Sequence, residues 1–215
     1  MVTNWRSRRA VGLAAMLAGV VASVSCGDVS RTGRAPAFLV IDSLTAASGA
    51  KPGEFGNVLL SDVVTLVQQT VGGVDTEVPT FYEDIGQVQV RVLLKDQGNP
   101  GATAGPSNLN WLKINRYRIV YRRADGRDIP GVDVPYPFDG SITATITNTP
   151  FTLGFTIVRI QAKREAPLMA LRSGGGAVAI STIADVTFSG EDMVGNEFES
   201  TGSISINFAD WADPQ

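Results

Sequence analysis

Beyond Pro36 the sequence predicts an all-β domain, an antiparallel β-sandwich of about eight strands with long loops. Three observations lead there. Apolar and polar residues alternate with a period of two in stretch after stretch, the signature of strands with one buried face. Glycine, aspartate and asparagine fall between those stretches, where hairpins need residues that tolerate positive φ. No segment of that region carries the 3.6-residue apolar period of a long helix.

The chain begins differently. Arg6, Arg8 and Arg9 precede an uncharged run of 16 residues, 10–25, that closes on small residues before Cys26. A basic start, an apolar centre shorter than the ~20 residues of a membrane span, and a small-residue exit are the parts of an export signal. Residues 1–25 are therefore expected to be a signal peptide. Ser23-Val24-Ser25-Cys26 resembles the lipobox of bacterial lipoproteins, with Ser23 where that motif usually has leucine. The resemblance implies that Cys26, the only cysteine of the chain, is the lipidation site. An ordinary signal with an incidental cysteine, or an uncleaved anchor, is the alternative. Ser7-Arg8-Arg9-Ala10-Val11 also resembles a twin-arginine export signal, which leaves two routes of export open. Gly27, rather than an aspartate that favours inner-membrane retention in some bacteria, follows Cys26, so the expected destination is the outer membrane. Residues 26–36 are polar and aperiodic, as a tether should be, and ten flexible residues reach only about 17 Å. Such a leash holds the domain, residues 37–215, beside the lipid surface.

Strands are expected, in chain order, over residues 38–44, 58–67, 87–95, 112–122, 142–147, 155–161, 178–188 and 203–208. Val88, Val90, Val92 and Leu94 alternate with Gln87, Gln89, Arg91 and Lys95; Ile142, Ala144 and Ile146 alternate with three threonines; Ile204, Ile206 and Phe208 alternate with Ser203, Ser205 and Asn207. The remaining five stretches are rich in β-branched and aromatic residues. Turns are expected at Gly72-Gly73, Asp125-Gly126, Asp139-Gly140 and Gly195-Asn196, and one short helix at 167–172. Gly174-Gly175-Gly176 lacks the Lys-Ser/Thr and helix of a phosphate loop and reads as a connector.

The run from Asp185 through Phe198 resembles the last hairpin of bacterial immunoglobulin-like and fibronectin type III-like domains, in which an Asp-x-x-Gly-Asn turn joins the final two strands; Asp192 to Asn196 match it. The resemblance implies an immunoglobulin-like, two-sheet Greek key. The run from Arg116 to Gly126, with Pro130 to Pro135, is similar to uncharacterised bacterial lipoproteins that carry no activity to transfer.

The chemistry is narrowed by what is missing. The chain has no histidine, which removes Ser-His-Asp and Cys-His units and histidine metal sites. A lipidated Cys26 removes thiol catalysis. Carboxylates such as Glu83-Asp84 and Glu191-Asp192 fall in turns and are expected to be solvated. Loop oxygens of a sandwich suit calcium, and Asp192, Asn196, Asp210 and Asp213 are the candidate ligands, with Asp125, Asp128, Asp133 and Asp139 as a second set. The competing reading, turn-forming and solubilising residues with no cofactor, is the one expected here.

Arg116, Arg118 and Arg122 share one face of a strand with Val120, and Tyr117, Ile119 and Tyr121 share the other. With Trp111, these arginines and tyrosines are the candidate ligand-binding set for carbohydrate; the expected use is a solvated arginine face over an aromatic core. Trp111 and Trp211 are the alternative pair for a sugar-stacking surface, with core or edge packing the expected use of each. Once residues 1–25 are removed, 15 basic side chains face 21 acidic ones, which does not suit a nucleic-acid partner. The sequence thus leads to a non-catalytic, lipid-anchored envelope protein that acts as a structural or protein-interaction module. A carbohydrate-binding or adhesive module is the alternative, and a carboxylate-dependent enzyme the minor one.

Overall fold

The computed structural model describes residues 34–95, 107–172 and 178–211. The expected signal peptide, Cys26, the tether up to residue 33, the three consecutive glycines at 174–176 and Asp213 lie outside the described residues. The described residues form ten strands: β1 (Ala37–Ala47), β2 (Val58–Asp62), β3 (Thr65–Val71), β4 (Val74–Thr80), β5 (Asp84–Leu94), β6 (Leu112–Arg123), β7 (Phe138–Ile146), β8 (Phe151–Val158), β9 (Ile180–Asp192) and β10 (Glu197–Ala209). One short helix, α1 (Ile160–Arg164), follows β8.

The strands form a sandwich. One sheet has the order β1-β5-β8 and the other β2-β10-β9-β6-β7. The order is that of an immunoglobulin-type Greek key: β1, β5 and β8 take the A, B and E places, and β6, β7, β9 and β10 the C, C′, F and G places. Two features depart from the expected antiparallel arrangement of eight strands. β2 runs parallel to β10, and β3 with β4 forms a separate two-stranded hairpin outside both sheets.

Several element boundaries differ from the sequence expectation for physical reasons. The stretch 58–67 is split into β2 and β3, because the Asp62 carboxylate accepts hydrogen bonds from the Thr65 hydroxyl at 2.7 Å and the Trp211 N–H at 3.1 Å. Val63 and Val64 are buried at the corner between the two strands. The stretch 155–161 leaves the sheet at Val158, and Ile160 opens α1. The expected helix at 167–172 is a 3₁₀ turn, Leu168–Leu171. β4 escapes the reading because Asp75, Glu77 and Pro79 occupy one face and the strand is mostly exposed, so no buried face marks it.

Asp139-Gly140 is not a turn either; it lies inside β7. Tyr117 is directly opposite Gly140 across the β6–β7 pair, and its ring fills the place that a Cβ would occupy. Gly86 of β5 does the same for Phe155 of β8. These glycines are required for space beneath an aromatic ring rather than for a turn. Between the sheets Tyr117, Phe155 and Phe188 meet at ring-centroid separations of 5.3 to 6.4 Å, with Phe138 edge-on to Tyr117.

A bulge sets the faces of β6. The register shifts between Ile114 and Arg116 against both neighbouring strands. Leu112 and Ile114 face inward before the shift, and Tyr117, Ile119 and Tyr121 face inward after it. The extra residue absorbs the change of parity, so one strand buries both sets. Gly190 lies opposite Ile114, where a side chain would run into the Lys113 carbonyl.

Candidate functional site

The candidate ligand-binding set is divided between two surfaces. Arg116, Arg118, Val120 and Arg122 are exposed on the outer face of the five-stranded sheet, while Tyr117 and Tyr121 are buried. The arginines engage neighbouring strands. Arg118 reaches Asp139 of β7 at 2.8 Å, and Arg122 reaches Asp185 of β9 at 3.0 Å. Asp185 in turn accepts from Ser203 of β10 at 2.6 Å. This ladder is a solvated cross-strand network. Tyr121 donates its hydroxyl to the Ile157 carbonyl at 2.5 Å, and burial, followed by the charge of Asp84, pushes its phenol up. Tyr117 and Tyr121 are therefore core residues, and the tyrosines and arginines do not form one contact surface. Trp111 precedes β6 and Trp211 follows β10, which puts the two indoles at opposite ends of the sheet.

The calcium candidates are likewise not assembled. Asp192 ends β9 and Asp210 follows β10, so the length of β10 separates them, about 40 Å at a strand's rise. Among the described residues no group of three or more acidic, histidine or cysteine side chains could hold a metal ion. In the second set, Asp125 and Asp133 both contact Arg127, and Asp139 pairs with Arg118.

Asp192 serves its own turn instead. Its carboxylate accepts from the Val194 and Asn196 backbone N–H groups and from the Asn196 side chain, each at 2.8 Å, and Gly195 adopts φ 90°. Burial raises its proton affinity, but these donors outweigh burial and hold the carboxyl below the usual aspartate range. A depressed folded-state pKa stabilises the fold above the unfolded value, near pH 4, and that contribution fades as pH falls through the folded value. The Asp192→Asn variant is accordingly expected to be less stable than wild type at about pH 7, by roughly 1–2 kcal/mol, with the two converging at an acidic pH below the folded value. Urea unfolding at both pH values checks this; a difference that persists undiminished at low pH would refute the charge-based account.

The most unusual electrostatic feature was not anticipated from sequence. Asp84, expected in a solvated turn, is 0% exposed, and Lys163 is 1% exposed. Lys163 Nζ donates to Asp84 Oδ1 at 2.7 Å, the Gly49 N–H to the same oxygen at 2.9 Å, and Ser61 Oγ to Oδ2 at 2.5 Å. The cluster draws together the β1–β2 loop, β2, the first residue of β5, and α1. The chain turns into α1 directly after β8, which returns Lys163 to the sandwich interior. Gly49 has to be glycine, since a Cβ there would meet the Glu83 carbonyl and the Tyr82 side chain. Burial is the largest influence on the Asp84 carboxyl and lifts its pKa, against the opposing pull of Lys163, Ser61 and Gly49. Both charges are sealed from solvent, so the cluster faces no open cleft.

Fold and charge network together define an all-β sandwich of immunoglobulin-type strand order, fastened at its interior by an aspartate–lysine pair. No family model, curated protein or solved structure matches the chain. Among the described residues no helix is long and apolar enough to cross a membrane.

Proposed function

We propose that this chain is a non-catalytic, lipid-anchored protein of the bacterial envelope, a structural or interaction module that engages a neighbouring envelope protein by strand addition. The basic, apolar and small-residue segments before Cys26 support the location, with acyl chains on Cys26 holding the protein to the outer membrane at about 0.8 kcal/mol per buried methylene.

The observation that carries the reading is the β3–β4 arm, residues 65–80. Among the described residues its two strands pair only with one another, and Gly72 and Gly73 close it with φ of 63° and 85°. Gln68 and Thr70 donate across the arm to Glu77 and Asp75, at 2.9 and 2.7 Å, which fixes one polar, acidic face. Val67, Val74 and Val78 belong to the opposite face, and Val74 is 65% exposed. An isolated two-stranded ribbon is marginal in water, and a third strand stabilises it. An extended segment of an envelope protein, apolar on the side that meets the valines, would supply that strand.

Affinity purification from crosslinked cells tests the proposal, with the wild-type chain beside a variant whose residues 65–80 are replaced by a short Gly-rich turn. A reproducible envelope partner is expected with wild type and lost without the arm, while circular dichroism shows an unchanged sandwich. Capture that survives removal of the arm, or no reproducible partner at all, would count decisively against it.

A further inference from the structure

The geometry points to an intramolecular amide bond between Lys163 Nζ and Asp84 Cγ, formed in the folded chain from the buried pair. The amine and the carboxyl are already in contact, 2.7 Å from Nζ to Oδ1, and both are sealed from water at 1% and 0% exposure. Holding the amine against the carboxyl makes the condensation unimolecular and removes the entropic cost of bringing the two groups together. Solvent exclusion also changes the balance between the two states. An ammonium and a carboxylate lose their hydration on burial, whereas an amide carries no charge and needs only ordinary hydrogen bonds.

The pair contains every atom the condensation requires. A proton passes from the Lys163 ammonium to the Asp84 carboxylate, leaving an amine beside a carboxylic acid. The amine lone pair forms the C–N bond at Cγ, the Cγ–Oδ1 bond breaks, and Oδ1 departs as water with one proton from the acid and one from the amine. The net change is an ammonium and a carboxylate converted to an amide and one water, with no oxidant or activating co-reactant. The neighbours are placed for these roles. Ser61 Oγ donates to Oδ2, the oxygen that stays and carries charge in the tetrahedral intermediate. The Gly49 N–H donates to Oδ1, the oxygen that leaves. The raised proton affinity of Asp84 favours the first proton transfer.

The bond would join the start of β5 to α1 across 79 residues of chain. The sequence has one cysteine, so no disulfide can form within the chain. An amide would provide the covalent closure that an exported domain otherwise takes from disulfides.

Tandem mass spectrometry of the purified full chain, denatured and digested with trypsin, tests the inference. Trypsin does not cleave after an acylated lysine, so the expected product is a branched peptide joining the Lys163 and Asp84 segments. Its mass is that of the two peptides less one water, about 18 Da. Fragment ions must span the branch, because cyclisation of an aspartate within one peptide loses the same mass. The branched species should be absent from Lys163→Met and Asp84→Ala. Recovery from wild type of separate, unmodified peptides, with cleavage after Lys163, would overturn the inference and leave an ion pair.

Discussion

Lys163→Met is expected to destabilise the folded domain by about 3–5 kcal/mol at neutral pH, because it leaves the Asp84 carboxylate buried without its cation. Asp84→Ala should cost more than Lys163→Met. It strands not only the ammonium but also the Ser61 hydroxyl and the Gly49 N–H, which have Asp84 as their acceptor. The double variant Asp84→Leu/Lys163→Met should be more stable than Asp84→Ala, since no charge remains buried. The two single variants should also differ in pH dependence. A carboxyl with a raised folded-state pKa stabilises the fold when protonated and loses that contribution as pH rises through the folded value. In Lys163→Met, where the opposing ammonium is gone, acidification from about pH 7 to 5 should therefore recover stability relative to wild type. In Asp84→Ala there is no such carboxyl and no such recovery. Urea unfolding of each chain across that range reads out both effects. Equal stability of wild type and Lys163→Met at neutral pH would show that the pair is not buried as described.

Phe188→Ala should be comparably damaging, at about 3–5 kcal/mol, or a melting temperature lower by roughly 10 °C. Phe188 on β9 is fully buried and lies 5.4 Å from the ring of Phe155 on β8 and 6.4 Å from that of Tyr117 on β6. Its ring thus touches both sheets, and its removal leaves a cavity at the point where they meet. The surrounding rings have little freedom to collapse into that space, because Tyr117 is seated over Gly140 and Phe155 over Gly86. Thermal unfolding followed by near-ultraviolet circular dichroism would measure the loss together with the altered aromatic packing. A change below about 1 kcal/mol would mean that the two sheets are held together elsewhere.

Both predictions concern residues whose importance was unequally visible in the sequence. Phe188 sits in an alternating stretch, and its inward direction follows from its neighbours Val186 and Ala184, all three of which are buried. The faces of β6 were legible for the same reason: Tyr117, Ile119 and Tyr121 share a parity, and so do Arg118, Val120 and Arg122. The turn from Asp192 to Asn196 was legible because its hydrogen bonds are closed within five residues. Asp84 gave no comparable signal. An aspartate before a strand has the same local appearance whether it meets water or a lysine.

The candidate site divides along that line. The arginine face and the tyrosine face opposite it could be placed from sequence, whereas the strands that supply Asp139 and Asp185 to the arginines were decided by folding. Of the arm, the Gly72-Gly73 turn and the start of β3 were legible, but β4 was not, because a strand exposed along most of its length leaves no periodic trace of burial.

Legible in the residues alone were the class of fold, the inward faces of four strands, β5, β6, β7 and β10, and the turn that closes the last hairpin. Those properties arise between residues two to five apart, where backbone geometry couples neighbours directly. The tertiary structure alone decided the order of the strands, the parallel seat of β2 on β10, the use of Gly140 as space for a ring, and the burial of Asp84. The donors that make that burial tolerable stand 23, 35 and 79 residues away in the chain, and only folding brings them to one carboxylate.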